Sequence, residues 1–325
     1  MRILIVSLSV IACGCGAANL SAPPTDTDAD VTGDMTFLPP DGGEWMPEPE
    51  PDGAVADDLG AVDAGAADAG KPDLAQPRDL AKPVDIAPAL DAGVSSSRLV
   101  EHQKGSDSSP NGYYSYVPPS YPGGAKWPLL IALHGVGENG NQTTELVKVL
   151  NPGIGNLVKH DKWPNNRPFI VLLPQHTGVN NCPNANEIKA FITWAMANYE
   201  VDQKRVYLTG LSCGAIGAWS YLGQELDSQI AALVPIAGNG KPAWGKQMCS
   251  LGKVPIWAFH GDADGTVNVS GTNVPMDGLA ACPVPSRKDA IKTIYPGVGH
   301  NSWDQTYNLS SGHDIYSWML MQVHN

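Results

Sequence analysis

Two uninterrupted apolar runs, residues 129–133 and 169–173, constrain this chain more than any other feature. A strand wetted on one face alternates apolar with polar residues, whereas a strand apolar at every position is covered on both faces. Further strands are expected at residues 112–117, 205–209, 232–236, 254–259 and 292–295. Stretches with helical spacing lie between them. Residues 186–199 put Ile188, Phe191, Ile192, Ala195 and Met196 on one stripe, and residues 213–226, 272–281 and 314–323 are further helices. Buried strands alternating with helices specify an α/β fold, a mostly parallel central sheet with helices on both faces. Such sheets place their ligands beyond the carboxyl ends of the strands, and several of those ends carry chemically capable residues.

Charge divides the chain. Residues 17–97 hold 17 Asp and Glu against three Lys and Arg, and the net charge of −13 originates there. From residue 98 onward the signs balance at 16 each, with eight of the nine Trp and all ten Tyr. Residues 98–325 are therefore one domain with enough apolar content for a substantial core, and they offer no basic footprint for nucleic acid. Residues 13–97, rich in Asp, Ala, Gly and Pro, lack the side chains whose burial would offset ordering entropy. A six-residue period runs through Asp73, Asp79 and Asp85. A solenoid is one meaning of such a repeat, but Pro77 and Pro83 fit a stiff, charge-extended tether better.

Residues 1–12 read as an export signal. Arg2 supplies a basic start, and residues 3–11 are an apolar run too short to span a bilayer. Val10-Ile11-Ala12-Cys13 resembles the lipobox of bacterial lipoproteins, which implies cleavage before Cys13 and a diacylglycerol on its sulfur. Cys15 is a second candidate, and an ordinary cleaved signal ending near Ala17 or Ala18 would leave no anchor. The expected location is a bacterial outer membrane or cell surface if lipidated, otherwise the periplasm or medium.

Gly210-Leu211-Ser212-Cys213-Gly214 fits the pattern G-x-S-x-G, with a strand running into it and a helix leaving it. The glycines permit a strained serine backbone between closely packed elements. The helix start beneath the hydroxyl would aim the Cys213 amide at a developing oxyanion. The plain alternative is a serine N-cap in a glycine-rich turn. A serine nucleophile needs a histidine base oriented by a carboxylate, and the ends of two later strands supply both. His260-Gly261-Asp262-Ala263-Asp264 offers two acids, of which Asp264 is favoured to face the base while Asp262 holds the turn. His300 follows Gly297-Val298-Gly299 after the last strand. The loop Leu133-His134-Gly135-Val136-Gly137 offers the Val136 amide as second oxyanion donor, with His134 as a brace and Glu138 at the rim.

These motifs, with Trp257-Ala258-Phe259 before His260 and Asn301-Ser302-Trp303 after His300, resemble one family. It is the group of predicted peptidases and esterases related to polyhydroxybutyrate depolymerases and feruloyl or acetylxylan esterases. The resemblance covers about residues 110–323. It implies an α/β-hydrolase fold, a Ser212–His300–Asp264 triad, oxyanion amides at Val136 and Cys213, and Trp303 packed beside the His300 loop. Relatives commonly have Ser-Met-Gly-Gly where this chain has Ser212-Cys213-Gly214-Ala215. The Cys213 amide survives that change, but the pocket beside the nucleophile does not carry over.

Cys249 precedes the strand leading to Asp264 and Cys282 follows the next helix, which suggests one disulfide; Cys182 with Cys213 is the remaining pair. His134, Gln175 and Trp303 are candidates for the substrate pocket, and His176 is a further loop residue there. No Cys/His spacing resembles a metal site, and no cofactor is expected. The expected activity is hydrolysis of small-molecule or polymeric carboxylic esters by a monomer held at the membrane by its lipid anchor. A serine peptidase of the prolyl-oligopeptidase-like group is the second reading. A non-catalytic surface lipoprotein that binds polymers through Trp244 and Trp303 is the third.

Overall fold

The apolar runs become the centre of an eight-stranded sheet in a computed structural model that describes residues 98–225, 229–283 and 289–324. The export signal at 1–12, the lipidation candidate Cys13 and the tether at 13–97 lie outside the described residues. In chain order the elements are β1 (Leu99–His102), β2 (Tyr113–Tyr116), β3 (Trp127–Leu133), α1 (Gly153–Lys159), β4 (Ile170–Pro174), α2 (Ala185–Asn198), β5 (Val201–Leu211) and α3 (Cys213–Gln224). There follow β6 (Ala232–Ile236), α4 (Lys241–Gln247), β7 (Ile256–Gly261), α5 (Ser270–Ala281), β8 (Ala290–Tyr295), α6 (Trp303–Tyr307) and α7 (Ile315–Met321). The strand order is β1-β2-β4-β3-β5-β6-β7-β8. The pairs from β4 through β8 are parallel, whereas β1–β2 and β2–β4 are antiparallel.

The period-two geometry of the strands explains why the runs are apolar throughout. Leu129, Ile131 and Leu133 of β3 pack on one face with Ile188, Phe191 and Ile192 of α2 and Trp219 of α3. Leu130 and Ala132, pointing the other way, join Ile154 and Leu157 of α1 and Tyr316 and Met319 of α7. Leu129 and Leu130 are both at 0% exposure, and each side chain so buried contributes roughly 2 kcal/mol. Helix α2 starts at a capping box: Asn184 accepts from the amides of Asn186 and Glu187, and the Glu187 carboxylate accepts from the Asn184 amide.

Three short helices and one strand are not in the sequence expectation. Helices α1 and α4 carry glycines at 153, 155 and 245, so propensity argues against them and tertiary packing decides, while Pro242 falls in the first turn of α4, where no amide hydrogen bond is lost. Strand β1 is a four-residue sheet edge with Val100 and Glu101 exposed, too short for a clear alternation. Helix α7 ends at Met321, two residues before the expected end. Among the described residues no helix is long and apolar enough to cross a membrane.

Candidate active site

Strand β5 lies at the middle of the sheet, and the chain turns sharply at its carboxyl end. Ser212 has φ 50° and ψ −118°, a left-handed backbone that costs a non-glycine residue about 1–3 kcal/mol. The glycines beside it are required by contact. A Cβ on Gly214 would lie 2.4 Å from the Leu133 carbonyl oxygen, and one on Gly210 would lie 2.5 Å from the Gly214 carbonyl carbon. Ser212 occupies the N-cap position of α3, yet its hydroxyl makes no capping hydrogen bond. The hydroxyl instead meets His300 Nε2 at 2.8 Å, which tells against a serine that serves only as a cap.

His300 Nδ1 donates to Asp264 Oδ2 at 2.7 Å. Asp264, in the loop after β7, is buried, and its Oδ1 accepts from the amides of Thr266 (2.8 Å) and Val267 (2.9 Å). Burial alone would raise this carboxyl, but the hydrogen bonds from His300, Val267 and Thr266 outweigh it and hold the group below its usual range. The competing acid is turned elsewhere: Asp262 is exposed and accepts from the Gly297 amide at 2.6 Å, tying the acid loop to the turn before His300. Trp303 stands edge-on to His300, with ring centroids 5.1 Å apart and planes at 90°.

One residue of this cluster escaped the sequence analysis. His260, fully buried at the end of β7, donates from Nε2 to Asp264 Oδ2 (3.1 Å) and the Val267 carbonyl (2.8 Å), and its Nδ1 accepts from Thr272 Oγ1 (2.8 Å). Two acceptors on one side of the ring fix the Nε2–H tautomer. His260→Ala should lower kcat by roughly tenfold, the worth of one charge-assisted hydrogen bond, with KM little changed. An unchanged kcat would show that the other three donors hold Asp264 unaided.

The loop after β3 contains a 3-10 turn, Val136–Glu138. A Cβ on Gly135 would lie 3.7 Å from Ser212 Cβ, so this loop adjoins Ser212. Val136 and Cys213 are each the first residue of a helical turn, and amides there have no intrahelical partner. Glu138 is half-buried, its carboxyl raised by burial, and the Gly135 and Glu138 amides oppose that rise.

His134 and Gln175, expected in a substrate pocket, are turned inward to build this loop. Gln175 is fully buried and spends its amide on the Gln142 N–H (2.7 Å) and the Glu138 and Glu145 carbonyls (both 2.9 Å). His134 Nδ1 donates to the Gly135 carbonyl at 2.6 Å, and Nε2 accepts from the His176 amide at 2.9 Å. Both residues line a cavity of about 20 Å³ between the sheet and α2, to which Ser212 and His300 do not contribute. A space of that size holds about one water molecule rather than an ester.

Burial is the main cause pushing the pKa of His134 down from 6.5 to about 4. The folded ring stays neutral where the unfolded chain would bind a proton. Its contribution to stability is therefore complete above pH 6.5, declines as pH falls and is gone below about 4. Denaturant midpoints measured across that window should fall more steeply for the native chain than for His134→Gln. Parallel curves would contradict this assignment.

Among the described residues no group of three or more His, Cys, Asp or Glu is placed to hold a metal ion. Both expected cysteine pairs, Cys182–Cys213 and Cys249–Cys282, are disulfide-bonded. No family profile and no curated protein sequence matches the chain. Solved structures do. A thermostable esterase is 24% identical and superposes with a TM-score of 0.52 over 70% of this chain and 63% of its own, so the chain spans about 63% of that esterase's length. A feruloyl esterase module from Clostridium thermocellum in complex with sinapinate is 17% identical over 69% of this chain and 87% of its own, at a TM-score of 0.48. An acetyl xylan esterase from Aspergillus awamori is 17% identical over 65% and 98%, at a TM-score of 0.45. At 24% identity the thermostable esterase shares its architecture with the chain. Together with the strand order and the sharp turn after β5, the first of these superpositions establishes that the chain has the α/β-hydrolase fold.

Proposed function

We propose that this chain is an exported serine hydrolase of carboxylic esters, with Ser212, His300 and Asp264 as its triad. The observation that carries this reading is the continuous hydrogen-bonded series from Ser212 Oγ through both nitrogens of His300 to Asp264 Oδ2. In the reaction Ser212 Oγ attacks the ester carbonyl as His300 Nε2 takes its proton, and Asp264 stabilises the resulting imidazolium. The amides of Val136 and Cys213 receive the oxyanion, each worth about 3 kcal/mol in the transition state. His300 returns the proton to the departing alcohol, and water then repeats the sequence to free the acid and Ser212.

Feruloyl, acetylated-sugar and hydroxyalkanoate esters are the candidate substrates, with the enzyme displayed on the acidic tether and anchored through Cys13. The test is a panel of those three classes, short-chain nitrophenyl esters and peptide amides. Turnover of nitrophenyl esters with no cleavage of the amides is expected; amide cleavage alone would make the chain a peptidase. For the anchor, Cys13→Ala should move the protein from the membrane to the soluble fraction. An unchanged distribution would contradict lipidation at Cys13.

A further inference from the structure

The two amides assigned to the oxyanion hole sit on separate pieces of chain. Val136 lies in the loop after β3, and Cys213 begins α3 after β5. Pairing of Leu133 with Gly210 fixes the bases of both pieces. The tip of the first is held less firmly by the sheet, since Val136 is 41% exposed and Gly137 is also exposed. What reaches both is the segment 175–182, which leaves β4 and runs on to the start of α2.

Its contacts with the first piece are serial. Gln175 Nε2 donates to the Glu138 carbonyl, the Gly140 amide donates to the His176 carbonyl at 3.1 Å, and the His176 amide donates to His134 Nε2. Asn139 Nδ2 then donates to the Asn181 carbonyl at 2.9 Å. Contact with the second piece comes one residue later and is covalent, through Cys182 to Cys213. The other disulfide, Cys249–Cys282, joins the turn before β7 to the end of α5 and touches neither donor.

We infer that residues 175–182 form a clamp that holds the two oxyanion amides in register, with Cys182 and Asn181 as its positioning residues. The inference rests on the hydrolase reading and adds to it a function for one disulfide that the other does not share. Oxyanion stabilisation depends on donors placed before the charge develops, and a displacement near 1 Å is enough to lower a rate substantially. Releasing the clamp should therefore act on the chemical step while leaving ground-state binding nearly untouched.

The experiment compares Cys182→Ala, the double variant Cys182→Ala/Cys213→Ala, Asn139→Ala and the control Cys249→Ala/Cys282→Ala in the full chain. Each is assayed for kcat and KM on a short-chain nitrophenyl ester, for the rate of fluorophosphonate labelling and for thermal midpoint. Both Cys182 variants should lose about tenfold or more in kcat and slow in labelling, with KM within about twofold. Asn139→Ala, which leaves both disulfides intact, should shift the same parameters in the same direction by less. The control should lose thermal stability and keep its kcat. If the Cys182 variants fold and retain kcat, or lose activity only in proportion to unfolded protein, the clamp is a plain staple and the inference is wrong. An unmodified chain that neither turns over the ester nor takes the label would sink the hydrolase reading and the clamp with it.

Discussion

Ser212→Ala should lower kcat on an ester by on the order of 10⁶-fold, the cost of deleting a serine nucleophile whose base and oxyanion donors remain in place. The fold should survive unchanged. Alanine is no more strained than serine at the positive φ of this position, and the hydroxyl contributes no capping bond to α3. The measurement is kcat by stopped or continuous ester assay beside a denaturation midpoint. A variant that retained a hundredth of the activity would place the nucleophile elsewhere. One that lost activity only because it unfolded would show that the turn depends on the hydroxyl after all.

Asp264→Asn should cost about 10⁴-fold in kcat, because it leaves His300 in the wrong tautomer. The Asp264 carboxylate accepts four hydrogen bonds: from the Thr266 and Val267 amides at Oδ1, and from His300 and His260 at Oδ2. An asparagine keeps one acceptor oxygen, which the two amides claim, and presents an NH₂ group to both histidines. His260 still has the Val267 carbonyl as acceptor for its Nε2–H. His300 does not, and its Nδ1 must become the acceptor. The ring proton then sits on Nε2, facing a serine whose proton it can no longer take. Asp262→Asn preserves the oxygen that accepts from Gly297 and should change kcat by no more than about threefold, as surface substitutions outside a network do. Equal losses in the two variants would contradict the assignment of the acid.

The parts of this site that were legible in the sequence are those that a few consecutive residues determine. Gly210 and Gly214 mark the turn because each is needed at its own position, and His300 follows a strand end and a glycine turn that can be read directly. The choice of Asp264 over Asp262 was legible only as a preference, since both side chains leave the same short loop and backbone direction separates them. His260 was missed for the opposite reason. A histidine at the end of an apolar strand has no local mark of what it faces, and its partner Thr272 lies on a different element. Gln175 and His134 show the limit from the other side. Their polar side chains at strand ends suggested contact with substrate, but the orphaned amides and carbonyls of neighbouring loops use them first. Helices α1, α4 and α6 depend on contacts with partners distant in sequence, so their own residues carry little trace of them.

The most direct test of the central claim is to expose the full chain to a fluorophosphonate and map the adduct by peptide mass spectrometry. The structure predicts one adduct on the peptide containing Ser212, absent in Ser212→Ala and strongly slowed in His300→Ala. An unlabelled chain, or a label on any other residue, would contradict the assignment of Ser212 as an activated nucleophile.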